Sequence, residues 1–223
     1  MKKGLIFVLF ALVSIVSYSQ ISWNAKVGMN MSNVTKMDDA KMKIGGYVGV
    51  GMEYQFTEMW SIQPSLLFTT KGAKAESNDE GEKEKYTYNP MYIELPVMAA
   101  ARFAIADGQN IVVKAGPYFA FGIGGKEKYE YGNKEYKTDI FKGVKLDEDG
   151  DETDDSGLGG KRFDLGIGVG VTYEINKFFI DLTGEFGLTK LMDMEGKYNV
   201  ATDTNDKISP KNMNFSIGVG YKF

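Results

Sequence analysis

Two stretches of the chain carry residue types whose spacing could do chemistry. The first is DLGIGVGVTYE (residues 164–174), which has glycines at two-residue intervals: Gly166, Gly168 and Gly170. A dinucleotide-binding loop needs the pattern G-x-G-x-x-G at the start of a helix. Here Val171 occupies the place of the third glycine, and the alternation of apolar and small residues continues through Tyr173. The stretch therefore predicts a β-strand with small residues on one face.

The second stretch is the acidic run KLDEDGDETDDSG (residues 145–157), in which three acids are spaced like the ligands of a calcium loop: Asp147, Asp149 and Asp151. A calcium loop of this type also needs a glycine after the third acid and a bidentate glutamate at position 12. Gly150 instead precedes the third acid, and that glutamate is missing. We interpret the run as the solvated tip of a surface loop, with weak calcium binding as the alternative.

The absence of two residue types restricts the chemistry further. The chain contains no histidine and no cysteine, which excludes histidine-based triads, thiolate nucleophiles and zinc sites built from these ligands. No spacing of carboxylates, or of serine with lysine, indicates another catalytic centre. We therefore expect no catalytic residue, no cofactor and no enzymatic activity.

The first residues have the layout of a secretory signal peptide. Two lysines precede the apolar run Leu5–Val16, and the small residues Ser17 and Ser19 precede an expected cleavage before Gln20. The apolar run is too short to span a membrane as a helix, which takes about 20 residues. We expect residues 1–19 to be a signal peptide and residues 20–223 to form one exported domain. Cleavage of the signal peptide removes its two lysines and leaves 24 basic and 30 acidic residues. This excess of negative charge argues against nucleic acid as a partner.

The exported part repeats one pattern, in which apolar residues alternate with polar or small ones. This period of two predicts strands, and no segment shows the period of a helix. We predict eight strands, at Ile21–Met31, Ile44–Phe56, Trp60–Lys71, Met91–Phe103, Ile111–Ile123, Phe163–Glu174, Phe178–Thr189 and Met213–Phe223.

Short and long connections between these strands alternate along the chain. The short ones are Thr57–Met59, Ala104–Asn110 and Ile175–Lys177, and the long ones are Ser32–Lys43, Gly72–Pro90, Gly124–Arg162 and Lys190–Asn212. This sorting predicts an all-β fold, an eight-stranded antiparallel up-and-down barrel that spans an outer membrane. Both termini would be periplasmic and the long loops extracellular. An interfacial girdle is expected at the short-turn rim, from Trp23, Tyr54, Phe56, Trp60, Phe103, Tyr173, Phe178, Tyr221 and Phe223.

The charged residues of the strands share the face opposite to the apolar one. A charge that faces lipid at mid-membrane costs about 2–4 kcal/mol, so these side chains must point into the lumen. The lumen of an eight-stranded barrel is just wide enough for side chains to fill it. We therefore expect a structural ionic network rather than an open pore or a proton relay, formed by Lys26, Glu53, Glu94, Arg102, Lys114, Asp164, Asp181 and Glu185.

Five motifs resemble the PorT-like outer-membrane β-barrel family of Gram-negative bacteria. They are KVGMNMSNV, YIELPVMAAARF, KAGPYFAFGIGG, RFDLGIGVGVTYE and DLTGEFGLTKL, in the order of the family and over essentially the whole exported chain. The resemblance implies an integral outer-membrane barrel in contact with lipid, and no single molecular role. One departure is Thr183-Gly184-Glu185, where the family often carries Arg-Tyr-Asn.

The C-terminal strand resembles the signal by which the barrel-assembly machinery recognises its clients, through Ser216, Gly218, Tyr221 and the terminal Phe223. Our leading hypothesis is a non-enzymatic envelope protein that acts in membrane integrity, adhesion or recognition through its long loops, with an extracellular or envelope protein as partner. The alternatives are a narrow channel for small solutes and an accessory subunit of a secretion or assembly complex.

Overall fold

The computed structural model describes residues 20–35, 41–79, 82–132, 134–143, 157–191 and 210–223. The expected signal peptide and the acidic run with Asp147, Asp149 and Asp151 lie outside these ranges. No helix in the described ranges is long and apolar enough to cross a membrane. The strands are β1 (Ile21–Val34), β2 (Lys41–Gln55), β3 (Trp60–Thr70), β4 (Ala73–Asp79), β5 (Glu82–Ala106), β6 (Gln109–Tyr131), β7 (Lys134–Asp139), β8 (Phe163–Ile175), β9 (Phe178–Gly187) and β10 (Asn212–Lys222).

Eight of these strands close into a ring. Each pairs antiparallel with its neighbours in the order β1, β2, β3, β5, β6, β8, β9, β10. The ring closes because β10 pairs with β1, with Val219 opposite Val27 and Phe215 opposite Met31. The prediction of an eight-stranded antiparallel up-and-down barrel is therefore confirmed.

Two of the predicted long loops are instead partly β-sheet. β5 and β6 are 25 and 23 residues long, and they continue beyond the barrel to pair with the short strands β4 and β7. We call the four-stranded sheet formed by β4, β7 and the adjoining ends of β5 and β6 the extension. The period of two does not predict the extension, because its strands alternate charges with tyrosines, as in KEKYTY and KEKYEY, rather than apolar with polar residues.

The barrel wall is apolar on its outside. Large hydrophobic side chains at mid-strand are about half exposed, at 46% to 54% for Val27, Val48, Ile167, Ile180 and Ile217. A protein surrounded by water rarely exposes a contiguous apolar surface of this extent. Charged and small residues occupy the alternate positions, which face the lumen. This arrangement is that of transmembrane strands in contact with lipid.

Aromatic side chains collect at the rim that carries the short turns. Trp23, Trp60 and Phe178 are exposed there, and Tyr221 lies 5.1 Å from Phe178 and 5.7 Å from Phe223, measured between ring centroids. Amphipathic rings are favoured at a membrane–water interface. The position of these residues is the one predicted for the girdle.

The glycines of the inner wall make room for large side chains that cross the lumen. A Cβ atom on Gly28 or Gly218 would overlap the ring of Tyr47, and one on Gly166 would overlap the ring of Tyr118. The glycines of DLGIGVGVTYE therefore have a packing role in a strand, as predicted. In the structure, the ring of Tyr118 lies over the first of them, Gly166.

The apolar wall predicts how stability depends on the depth of a charge. We expect Val169→Lys, at the middle of β8, to lower the free energy of unfolding by about 2–4 kcal/mol, because its ammonium would face hydrocarbon. Ile175→Lys, on the same face at the end of β8, is the matched control and should cost at most about 1 kcal/mol. Urea unfolding in phospholipid vesicles measures both. Equal losses at the two positions would contradict the assigned depth.

Candidate functional site

The lumen contains three groups of charged side chains at successive depths. The lowest group lies near the short-turn rim, where Arg102 Nη2 is 2.9 Å from Glu53 Oε2 and 3.0 Å from Glu174 Oε1. Lys222 Nζ contacts the same two carboxylates, at 2.8 Å and 2.5 Å. Two cations thus balance two anions that come from four strands. We call these four residues the lower cluster.

The middle of the lumen is polar but less tightly filled. Lys114 Nζ lies 2.6 Å from Asp181 Oδ1, which also accepts a hydrogen bond from Thr172 at 2.7 Å. Lys26 forms no ion pair with another described residue and lines two small cavities, each of about 30 Å³. A cavity of this size has room for one or two water molecules. The two cavities that these described residues line can therefore hydrate Lys26 and are too small for an organic solute.

The third group, the upper cluster, is the most deeply buried. Lys71 Nζ lies 2.5 Å from Glu94 Oε2 and 3.0 Å from Glu185 Oε2, and the side chains of Lys71 and Glu94 are each only 1% exposed. The ammonium also lies 4.3 Å from the centre of the Tyr118 ring. Beside this group, Asp164 accepts hydrogen bonds from Tyr118, Thr189 and Asn212 at 3.1, 2.7 and 2.8 Å.

Apolar side chains cover the upper cluster at the long-loop end of the barrel. Phe141, from the segment after β7, packs against the buried residues Tyr92, Tyr118 and Ala120. Arg162 holds this segment in place, with its guanidinium 5.2 Å from the Phe141 ring and Nη1 donating to the carbonyl oxygen of Gly122 at 2.8 Å. A second cluster joins Val34, Ala73 and Leu191, with Tyr88 against it. Side chains therefore fill both ends of the lumen.

The structure places all eight predicted lumen residues on the inner wall and brings most of them into pairs. The sequence analysis did not include four partners in its set: Lys71, Glu174, Lys222 and Tyr118. Each lies within a predicted strand on its inward-facing alternation, so the pattern places all four in the lumen but does not indicate that they join the ionic network. Which residues pair across the lumen depends on the register of distant strands, which no local pattern gives.

The residues of the predicted assembly signal divide between the two faces of β10. Ser216 and Gly218 face the lumen, where Ser216 donates to the carbonyl oxygen of Thr183 at 3.3 Å. Tyr221 and Phe223 lie on the outer rim among the exposed aromatic residues. Recognition of this strand by the assembly machinery stays a prediction.

The inner face of the extension carries a row of tyrosines. Tyr86, Tyr129 and Tyr136 lie opposite one another in register, with ring centroids 4.4 Å apart in the first pair and 6.2 Å apart in the second. The hydroxyl of Tyr129 donates to Glu84 at 2.9 Å, and this hydrogen bond raises the pKa of Tyr129. Tyr136 is 54% exposed. We call these three residues the tyrosine row.

Metal binding has no support in the described part of the chain. Three or more acidic, histidine or cysteine side chains do not come together there in a way that could hold a metal ion. The candidate calcium residues Asp147, Asp149 and Asp151 lie outside the described residues, so calcium binding by them stays a prediction.

The upper cluster predicts a large effect of one substitution on stability. Lys71→Met leaves Glu94 and Glu185 buried without their cation, and we expect a loss of about 3–5 kcal/mol in the free energy of unfolding. The double variant Lys71→Met/Glu185→Gln should be more stable than Lys71→Met alone, because only one buried acid then lacks its cation. Lys41→Met, which removes an exposed ion pair with Glu76, is the control and should have a negligible effect. A Lys71→Met variant as stable as this control in urea unfolding would contradict the assigned ion pairs of the upper cluster.

Comparison with known proteins assigns the chain to a family through its sequence. No curated protein sequence matches the chain. Solved structures to which it is similar include Ail, the attachment invasion locus protein of Yersinia pestis, at 15% identity over 91% of this chain and 98% of that one, with a TM-score of 0.40. Neisserial surface protein A follows at 11% identity over 90% and 97%, with a TM-score of 0.42, and OprG of Pseudomonas aeruginosa at 10% over 91% and 94%, with a TM-score of 0.37. The family model described as outer membrane protein beta-barrel domain matches residues 16–193, and the chain belongs to that family of outer-membrane proteins.

Proposed function

We propose that this outer-membrane barrel is a non-enzymatic protein of recognition or adhesion, and that the extension is its binding surface. The observation that carries the proposal is the tyrosine row, which three neighbouring strands hold beyond the end of the membrane-embedded wall. Stacking between the rings helps to stabilise this sheet, and it leaves the ring of Tyr136 exposed to a partner. Binding of a protein partner is the role that the chemistry favours.

Tyrosine suits such a surface for physical reasons. Its ring gives a large contact area, its hydroxyl gives a hydrogen bond, and only two side-chain torsions are fixed on binding. Here the rings already stack on one another, and Glu84 holds the hydroxyl of Tyr129. Because strands rather than a flexible loop carry these side chains, little further ordering is needed when a partner binds.

The proposal also requires an orientation in the membrane. The turns at 107–108 and 176–177 are short, whereas the extension and the strand ends that the longer connections join lie at the opposite end of the barrel. Outer-membrane barrels have short periplasmic turns and longer extracellular loops. We therefore propose that both termini are periplasmic and that the extension is extracellular.

The filled lumen opposes the alternative of a solute channel. The lower cluster, the upper cluster and Phe141 occupy the lumen at successive depths, and the cavities between them hold only one or two waters each. An accessory role in a secretion or assembly complex stays a hypothesis, and it would use the same extension to bind an envelope protein. The narrower resemblance to the PorT-like family likewise stays a prediction.

Site-specific photocrosslinking in intact cells tests the binding surface. A photoreactive phenylalanine in place of Tyr136, on the inner face, should crosslink to one discrete partner. In place of the adjacent Lys137, whose side chain points to the opposite face, it should not. The crosslink at position 136 should weaken when Tyr86 and Tyr129 are both changed to serine, while the barrel still shows the heat-dependent gel mobility of a folded one.

Two results would contradict the proposed function. One is equal crosslinking at positions 136 and 137, which would indicate chance encounters at an exposed sheet. The other is a crosslink at position 136 that survives the loss of both neighbouring tyrosines, which would show that the row is not the binding surface.

A further inference from the structure

The outer face of the extension sorts its charges by distance from the membrane. Side chains alternate along β5, so Thr87 and Lys85 lie on the same outward side as the lipid-facing Ile93. The register then places two rows across the sheet. The row nearer the membrane is Lys74, Thr87, Lys128 and Lys137, and the next row outward is Glu76, Lys85, Glu130 and Glu135. Cations therefore dominate near the membrane and acids dominate farther from it.

A fourth lysine lies closer still to the lipid. Lys126 is three residues beyond Ile123, which is an exposed apolar residue of the outer wall. At about 3.3 Å per residue, this separation is about 10 Å along the strand. The head-group region extends about 5–8 Å beyond the hydrocarbon on each side, and a lysine side chain can bend toward it. Lys74, Lys128 and Lys137 lie one inward-outward repeat farther along their strands, about 7 Å beyond Lys126, and a strand tilt of about 35–45° makes the difference in height smaller. We call Lys74, Lys126, Lys128 and Lys137 the lysine row, whose long side chains can bend back toward the head groups.

Ion pairs within the sheet leave much of this positive charge without a partner. Lys128 and Lys137 lie directly opposite each other and share one carboxylate, that of Glu135. Lys74 and Lys126 have no ion pair with another described residue, although Asp139 lies opposite Lys126 on the same face. Like charges placed opposite each other on a sheet are destabilising, and exposed ion pairs contribute little. An external anion would relieve this repulsion.

We propose that the lysine row binds the phosphate groups of anionic lipids in the leaflet that adjoins the extension. The row follows the lipid-facing wall on the same face of β5, beyond a bulge in β6 at Ile123, and the sign of its charge is complementary to lipid phosphate. The acidic row above it limits the contact to the head-group layer, because it repels phosphate farther out. This surface lies on the opposite face from the tyrosine row and is independent of the proposed function.

Native mass spectrometry of the purified full chain tests the proposal. The protein is released from micelles that contain equal amounts of phosphatidylglycerol and phosphatidylcholine, and the retained lipids are counted. Wild type should retain phosphatidylglycerol preferentially. The variant Lys74→Gln/Lys126→Gln/Lys128→Gln should lose about fivefold in that preference for each lysine removed, and added salt should weaken it in wild type.

A matched variant separates position from net charge. Lys83→Gln/Lys85→Gln/Lys134→Gln removes the same charge from the same extension, at positions farther from the membrane or on the other face, and should retain phosphatidylglycerol as wild type does. Heat-dependent gel mobility shows that both variants are folded. Equal loss in the two variants, full retention in the first, or no preference in wild type would each overturn the proposal.

Discussion

Closure of the ring between β1 and β10 is the constraint on which the rest of the structure depends. Hydrocarbon offers no hydrogen-bond partner, so each unpaired backbone group in the membrane costs several kilocalories per mole. Pairing of the first and last strands, from Asn24 with Lys222 to Val34 with Asn212, removes the two edges that an open sheet would leave in lipid. The extension can have edge strands because it lies beyond the membrane, where water is available as a partner.

Closure also determines the chemistry of the interior. Apolar side chains must cover the outside, so the polar half of each strand is confined to a narrow lumen, where charges need partners. Two acids and two bases meet in the lower cluster, and Lys71 lies between two acids in the upper one. Large rings then fill the remaining space over glycines, as Tyr47 does over Gly28 and Gly218. The lumen is therefore the polar equivalent of a packed core.

The sequence predicts the barrel well because membrane strands must alternate. Every second residue of β8, from Phe163 to Ile175, is apolar or aromatic and faces outward. The boundaries of β8 agree with the prediction within one residue. The extension could not be predicted in the same way, because a sheet in water needs no apolar face. Its strands are stabilised by pairs such as Tyr86 with Tyr129 and Lys85 with Glu130. Lumen partners such as Arg102 and Glu174, 72 residues apart, depend on the closed register.

Closure of the ring explains why the wall is apolar, why the lumen is filled with polar side chains and why the extension lies beyond the wall. The pairing of β1 with β10 that closes the ring can be measured directly. The chain has no cysteine, so Val27→Cys/Val219→Cys introduces the only two thiols, at positions directly opposite across the β1–β10 seam. Mild oxidation of the folded protein should form a disulfide between these two cysteines almost completely. The control Val27→Cys/Ile217→Cys, in which the second cysteine is displaced by two residues on the same face, should form far less disulfide. Failure of the first pair to form a disulfide, or more efficient formation by the displaced pair, would contradict the closed barrel and its register.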